Sequence, residues 1–272
     1  MIPIHVERLG HVYRQGAVRA LDGLDLSIGP GERVALVGQN GSGKTTLVRH
    51  LNGLLRPTTG RVLVDDVDAA DLRVAQLARR IGLVFQDPDR QIFAATVRQE
   101  VEFGPRNMGM SEADRRAAVE EALAAVDLAG EADTNPYDLG GSRRKLLALA
   151  SVLAMRTSVL VLDEPTTGQD LRGVARVRAV IESVHAAGRT VIAISHDMRF
   201  VAELFERAVV LRAGRVILDG PPAAVFAKDS WPLLESTFLE APLAARVGAK
   251  LGLGSTPTDA SLIAALAARQ GQ

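Results

Sequence analysis

Eight consecutive residues, Gly38-Gln39-Asn40-Gly41-Ser42-Gly43-Lys44-Thr45, limit what this chain can fold into more than any other stretch. They fit G-x-x-x-x-G-K-[ST] without a gap, a pattern that works only as a loop between a buried strand and the start of a helix. The glycines let consecutive backbone N–H groups curl around a phosphate, and Lys44 reaches the β and γ oxygens. Thr45 offers a hydroxyl to Mg²⁺, while the positive end of the following helix faces the anion. Both flanks are present: Arg33-Val34-Ala35-Leu36-Val37 is a short apolar strand, and Lys44 to Leu55 has helical spacing. Gly38, Gln39, Asn40, Gly41, Ser42, Gly43, Lys44, Thr45 and Thr46 are therefore the expected nucleotide-phosphate-binding set, in an α/β fold built on a parallel sheet.

A phosphate loop of this kind needs a carboxylate at the end of a neighbouring buried strand. Val159-Leu160-Val161-Leu162 leads into Asp163, placed to share Mg²⁺ with Thr45, and Glu164 follows, placed to polarise a water toward the γ-phosphate. Taken alone, an Asp-Glu pair after an apolar run is more often a solvated strand end. The loop upstream reverses that reading and points to binding and hydrolysis of a nucleoside triphosphate.

The rest of the chain organises around these two strands. Leu24 to Ile28 and Val62 to Val64 read as strands before the helical middle, with the turn Gly29-Pro30-Gly31 between Leu24–Ile28 and Arg33–Val37. Ser111 to Val126 is helical with Ser111 as N-cap, a second helix is expected from about Arg143 to Met155, and residues 87–156 read as an α-helical insertion. Val191 to Ile194 returns to strand after a helix around Val174 to Ala187. Val209–Leu211 and Val216–Leu218 form a hairpin across Arg212-Ala213-Gly214-Arg215. After Gly220, Pro221-Pro222, Trp231-Pro232, Ala241-Pro242 and Thr256-Pro257 break the remainder into short helices. The expected domains are 1–220 and a C-terminal extension, 221–272.

Composition narrows the alternatives. Thirty-two basic and 32 acidic residues cancel, which argues against nucleic acid as the main ligand. There is no cysteine, so disulfides, thiolate metal sites and cysteine nucleophiles are excluded. The start MIPIHVERLG lacks the pattern of a secretory signal, and the densest apolar run, Leu146 to Met155, is too short to cross a bilayer, so an intracellular chain is expected.

Together these motifs resemble the ATPase subunits of ABC transporters. Asp163-Glu164-Pro165-Thr166 is similar to their extended Walker B segment, and Gln86 in Val84-Phe85-Gln86-Asp87 to the Q-loop glutamine that reaches Mg²⁺ or the attacking water. Gly168-Gln169-Asp170 resembles the D-loop, with Asp170 as its acid, and His196 in Ser195-His196-Asp197 the switch histidine that contacts the γ-phosphate. Tyr13 stands where an aromatic ring stacks on adenine. The resemblance implies a P-loop NTPase core of ABC type with an inserted α-helical subdomain, an N-terminal antiparallel β subdomain and a short helical C-terminal extension. Glu164, His196 and Gln86 are the implied catalytic residues, Thr45, Gln86 and Asp163 the Mg²⁺ set, and ATP and Mg²⁺ the ligands. His5, His11, His50 and His185 are read as structural.

One family motif departs. Where Leu-Ser-Gly-Gly-Gln is expected, the chain has Leu139-Gly140-Gly141-Ser142-Arg143. Without gaps, Gly140 takes the place of the serine and Ser142 that of the second glycine; a shift by one puts Leu139 there instead. In this family the signature serine and nearby amides hold the γ-phosphate of ATP bound to the other subunit. Gly140, Gly141 and Ser142 would thus form a weakened trans site, which favours a heterodimer with a second ATPase over a homodimer. Arg143, Arg144 and Lys145 either replace lost phosphate contacts or are solvated beside a Ser142 cap.

Asp87-Pro88-Asp89-Arg90-Gln91-Ile92-Phe93, with Thr96-Val97 and Val101 to Asn107, is similar to the corresponding stretch of energy-coupling-factor ATPases, as is the tail from Ala241 to Thr258. That subgroup drives uptake of vitamins and of cobalt or nickel. It implies a transmembrane coupling protein facing Ile92, Phe93, Val97 and Phe103, a substrate-binding membrane subunit, and a peripheral position on the cytoplasmic face of the membrane. A nucleotide-binding regulatory subunit, an ATPase of another transporter class, and a transporter-independent ATPase are the competing readings.

Overall fold

The computed structural model describes residues 2–13 and 18–270. The chain opens with β1 (Ile4–Tyr13), β2 (Val18–Ile28), β3 (Arg33–Val37), α1 (Lys44–Leu51), β4 (Thr59–Val64) and β5 (Val67–Asp68). β2, β1, β4 and β5, in that order, make a four-stranded antiparallel sheet. β3 belongs to a second sheet, so the turn at Gly29-Pro30-Gly31 carries the chain from one sheet to the other.

After α2 (Val74–Ala78) and β6 (Ile81–Val84) come the helices of the middle region, α3 (Val97–Asn107), α4 (Glu112–Ala125) and α5 (Gly141–Leu153). The core resumes with β7 (Val159–Asp163), α6 (Leu171–Ala186), β8 (Thr190–Ile194), α7 (Met198–Leu204), β9 (Arg207–Arg212) and β10 (Arg215–Gly220). The second sheet has the order β10-β9-β3-β8-β7-β6, parallel throughout except for the antiparallel hairpin strand β10.

This sheet is covered on both faces, which is why its strands read as unbroken apolar runs rather than alternating ones. Val34, Leu36, Val159, Val161, Ile192 and Ile194 face one core, shared with α1 and the antiparallel sheet. Ala35, Val37, Leu160, Leu162, Val191 and Ala193 face the other, shared with α5 and α6. The C-terminal elements are α8 (Pro222–Val225), α9 (Trp231–Glu235), α10 (Leu243–Lys250) and α11 (Asp259–Gln270). Val225, Phe226, Leu234 and Ala245 sink into this second core, whereas α11 buries no residue.

Several boundaries move relative to the sequence reading. α1 stops at Leu51 rather than Leu55, capped by Asn52 ahead of Gly53, which adopts φ 75°. α6 begins at Leu171, three residues before Val174, because the Asp170 carboxylate accepts the Gly173 N–H at 2.7 Å. α3 carries Gly104 and Pro105 in its C-terminal half, held in place by buried Val97, Glu100 and Val101. Ser111 does cap α4, accepting from Asp114 N at 3.1 Å.

Candidate active site

The loop between β3 and α1 is shaped by backbone that only glycine tolerates. Gly38 has φ 145°, and a Cβ there would lie 2.2 Å from the Leu211 carbonyl oxygen. Gly43 has φ 107°, and its Cβ would lie 2.6 Å from the Ala20 carbonyl oxygen. The loop is thus clamped between β2 and the β9–β10 hairpin, and a side chain at either position would displace main chain. Lys44, buried, folds back and donates to the Gly38 and Gln39 carbonyls at 2.6 and 2.9 Å. Burial holds its ammonium below its ordinary pKa, with Glu164 and Asp163 opposing the shift. A cation with this arrangement exchanges carbonyl oxygens for phosphate oxygens without leaving its pocket.

At the end of β7, Thr45 Oγ1 donates to Asp163 Oδ2 at 3.1 Å. Among the described residues Asp163 Oδ1 is buried and has no hydrogen-bond partner. Burial pushes the Asp163 carboxyl up from its usual range, the Thr45 hydrogen bond opposing and Glu164 adding to the rise. A buried carboxylate with an orphaned oxygen next to a threonine hydroxyl suits a hard divalent cation such as Mg²⁺.

Glu164 follows in the left-handed region, φ 53°, held there by its N–H donating to the Ile194 carbonyl at 3.0 Å. Its Oε2 lies 2.7 Å from His196 Nδ1 and accepts from Thr167 Oγ1 at 3.3 Å. Glu164 is buried and His196 exposed, so the pair joins the interior of the site to its open face. Gln86, just beyond β6, lines the same cleft with Asn40, Gly41, Gly43, Lys44, Thr45, Thr46, Asp163, Glu164 and Tyr13. Tyr13 closes the far side, its hydroxyl 3.1 Å from Thr46 Oγ1.

Gly140, Gly141, Ser142 and Asp170 are not part of this cleft. Ser142 and Asp170 line a second one with Asp127, Arg143, Arg172 and Arg176. Gly140, at φ −61° and ψ 157°, is the N-cap of α5 and has no side chain to cap with. Ser142 is therefore not the cap; its hydroxyl donates to Gln169 Oε1 at 2.6 Å, and Gln169 Nε2 returns a bond to the Ser142 carbonyl at 3.2 Å. The three basic residues are partly buried, and each is bonded to its own chain. Arg143 contacts Glu131 and the Asp127 carbonyl, Arg144 contacts Asp89 and the Leu139 carbonyl, and Lys145 donates to the Thr167 carbonyl. Loop carboxylates and carbonyls thus crowd the start of α5, although among the described residues Arg143 Nε and Arg144 Nε are buried without a hydrogen-bond partner.

Two polar residues that the sequence reading passed over hold the segment after Gln86. Gln91 Nε2 donates to the Ala148 carbonyl at 2.8 Å and to Ser151 Oγ at 2.9 Å, pinning the segment to α5. Glu100, almost fully buried, accepts from the N–H groups of Phe93 and Ala94 at 2.9 and 2.8 Å. Of the four apolar residues expected on the coupling face, Ile92 and Val97 are core, while Phe93 and Phe103 are exposed and meet edge to face at 4.7 Å. Only the tertiary contacts reveal this, since a lone Glu or Gln in a loop carries no signal of its own.

The model of the ABC transporter family matches residues 21–167. A cobalt import ATP-binding protein CbiO from Rhodobacter capsulatus is 46% identical over 77% of this chain and 76% of its own length. An energy-coupling factor transporter ATP-binding protein EcfA2 from Symbiobacterium thermophilum is 40% identical over 99% of this chain and 96% of its own. The solved structure of cbiO1 from Clostridium perfringens, part of the transporter complex cbiONQ, superposes with a TM-score of 0.75 at 37% identity, covering 92% of this chain and 98% of that one.

Proposed function

Because the chain belongs to the ATP-binding subunits of ABC transporters and is an ATPase, we propose that it powers an energy-coupling-factor type importer that carries a vitamin or a cobalt or nickel ion across the cytoplasmic membrane. The contact between Glu164 Oε2 and His196 Nδ1, 2.7 Å long, with Glu164 lining the same cleft as the phosphate loop, carries the hydrolytic half of this reading. Glu164 acts as general base on the water that attacks the γ-phosphate, and His196 orients that carboxylate and reaches the phosphate from the exposed side. Lys44 trades its loop carbonyls for β and γ oxygens, Gln86 turns its amide toward the water, and Tyr13 carries the adenine. Thr45, Asp163 and Gln86 are the residues to hold Mg²⁺, which when bound neutralises charge on the β and γ oxygens.

Replacing Glu164 with Gln tests this. Hydrolysis by the assembled complex falls by orders of magnitude while ATP binding persists; unchanged hydrolysis would instead favour a regulatory subunit. The CbiO and EcfA2 relatives support the importer class. The Phe93 and Phe103 pair, held by Glu100, is an apolar surface suited to a transmembrane coupling protein, which together with a substrate-binding membrane subunit would keep the chain peripheral at the cytoplasmic face. Among the described residues no helix is long and apolar enough to cross a membrane itself.

The segment at the start of α5 supports pairing with a different ATPase. Gly140 offers no hydroxyl to a γ-phosphate in trans, so an intact signature has to come from the partner for the site on this chain, and the opposite site is the weaker one. We read 1–220 as the ATPase domain, with its helical subdomain at about 87–156, and 221–272 as the extension that meets the second ATPase. Phe238, Leu243, Leu251 and Ile263 leave that extension with exposed apolar side chains.

A further inference from the structure

His11 and His50, which the sequence presents as unremarkable, are both buried directly behind the nucleotide cleft. His11 lies two residues before Tyr13 on β1, and its ring meets the Tyr13 ring edge to face at 4.7 Å. His50 lies four residues after Thr46 on α1, one turn along the same helical face, and meets His11 edge to face at 4.7 Å. Hydrogen bonds close the loop: His50 Nδ1 to the Thr46 carbonyl at 2.7 Å, His50 Nε2 to His11 Nδ1 at 3.2 Å, and the Tyr13 hydroxyl to Thr46 Oγ1 at 3.1 Å.

The tautomers follow from the partners. A carbonyl only accepts, so His50 carries its proton on Nδ1 and presents a lone pair at Nε2. His11 Nδ1 donates to that lone pair and shares its proton with the Arg56 carbonyl at 3.2 Å. These bonds give each ring one orientation. Tyr13, part-exposed and placed on a strand rather than in the loop, is thereby joined to the helix that carries Lys44 and Thr45 twice, through its ring by way of His11 and His50 and through its hydroxyl to Thr46.

We propose that His11 and His50 are positioning residues for the nucleotide base: with Thr46 they lock the Tyr13 ring to α1, so that the base platform and the phosphate loop keep one fixed separation. The proposal rests on the ATP-binding reading above and adds a residue set to it. A ring already ordered in the free protein does not have to be ordered on binding, and loss of that preorganisation weakens base recognition by about two- to tenfold per immobilised side chain. Phosphate recognition, which uses the loop alone, is left as it is.

The test measures dissociation constants of the full chain for ADP and for inorganic pyrophosphate in the wild type and in His50→Phe, His11→Phe, His50→Gln and Tyr13→Ala. Phenylalanine keeps the ring volume but neither hydrogen bond. Glutamine can donate to the Thr46 carbonyl and accept from His11. His50→Phe and His11→Phe are expected to weaken ADP by about two- to tenfold with pyrophosphate unchanged, Tyr13→Ala to do so at least as strongly, and His50→Gln to keep the wild-type ratio. The two phenylalanine variants lie on different elements, so one that fails to fold leaves the other to decide. Equal weakening of both ligands, or of neither, would overturn the positioning role. A Tyr13→Ala variant with an unchanged ratio would refute Tyr13 as the base platform, and a wild type that binds neither ligand would refute the nucleotide site itself; either result removes the proposal with it, and the two are told apart.

Discussion

Replacing Gly140 with Ser should separate the proposed missing signature hydroxyl from everything else at the start of α5. The backbone at Gly140 is ordinary for a helix N-cap, φ −61° and ψ 157°, and a Cβ added there meets no atom within 4 Å. Serine therefore fits without displacement, and its hydroxyl can accept the N–H of Arg143, the third residue of α5. Serine in place of glycine at an N-cap is worth only about 0.3 kcal/mol, and loss of glycine's freedom in the unfolded chain adds roughly 0.4–1 kcal/mol. The melting temperature should then rise by about 2–4 °C. The effect on turnover is larger. A hydrogen bond to a charged phosphate oxygen is worth roughly 1.5–3 kcal/mol, which becomes about ten- to a hundredfold in rate if it is made in the transition state. Steady-state ATPase activity of the isolated chain, followed over a range of protein concentrations so that pairing is visible, is the assay. A variant that melts higher but hydrolyses ATP no faster than wild type would refute the argument that the hydroxyl limits the chain on its own. So would a wild type that, alone, matches the rate of the complete transporter.

Two further outcomes follow from buried charge. Asp163→Asn should abolish hydrolysis yet raise the melting temperature of the nucleotide-free chain, because burial already disfavours the charged carboxylate and Glu164 lies beside it; a lower melting temperature by calorimetry would contradict this. Burial also holds His50 below its ordinary pKa of 6.5, the Thr46 carbonyl opposing the shift. Below about pH 6.5 the unfolded chain takes up a proton that the folded chain refuses, so stability falls as pH falls and rises with pH up to that value. Denaturant midpoints between about pH 7.5 and 5.5 should drop less in His50→Phe than in the wild type, and parallel slopes would show that His50 does not contribute.

The local parts of the site were legible in the chain as written. The order strand, glycine loop, Lys44-Thr45, helix is dictated by what neighbouring residues must do to one anion, so spacing alone reveals it. The same holds for Asp163 and Glu164 after an apolar strand. What the chain could not show was which distant side chains satisfy each other. Gln91 and Glu100 have no periodicity to betray them, yet they brace the segment after Gln86 through α5 and through the main chain of Phe93 and Ala94. Arg143, Arg144 and Lys145 look like free cations in sequence and are consumed by carboxylates and carbonyls folded against them.

His11 and His50 mark the limit most clearly. Thirty-nine residues and two different sheets' worth of chain separate them, and a lone histidine on a strand or helix is ordinary surface or core. Sequence by itself determined the phosphate loop and the carboxylate strand, because each is chemistry confined to a few adjacent residues. Tertiary structure decided that the antiparallel sheet lies across α1 so that Tyr13, Thr46, His50 and His11 close a ring, since that contact exists only once two apolar faces far apart in the chain are buried against each other.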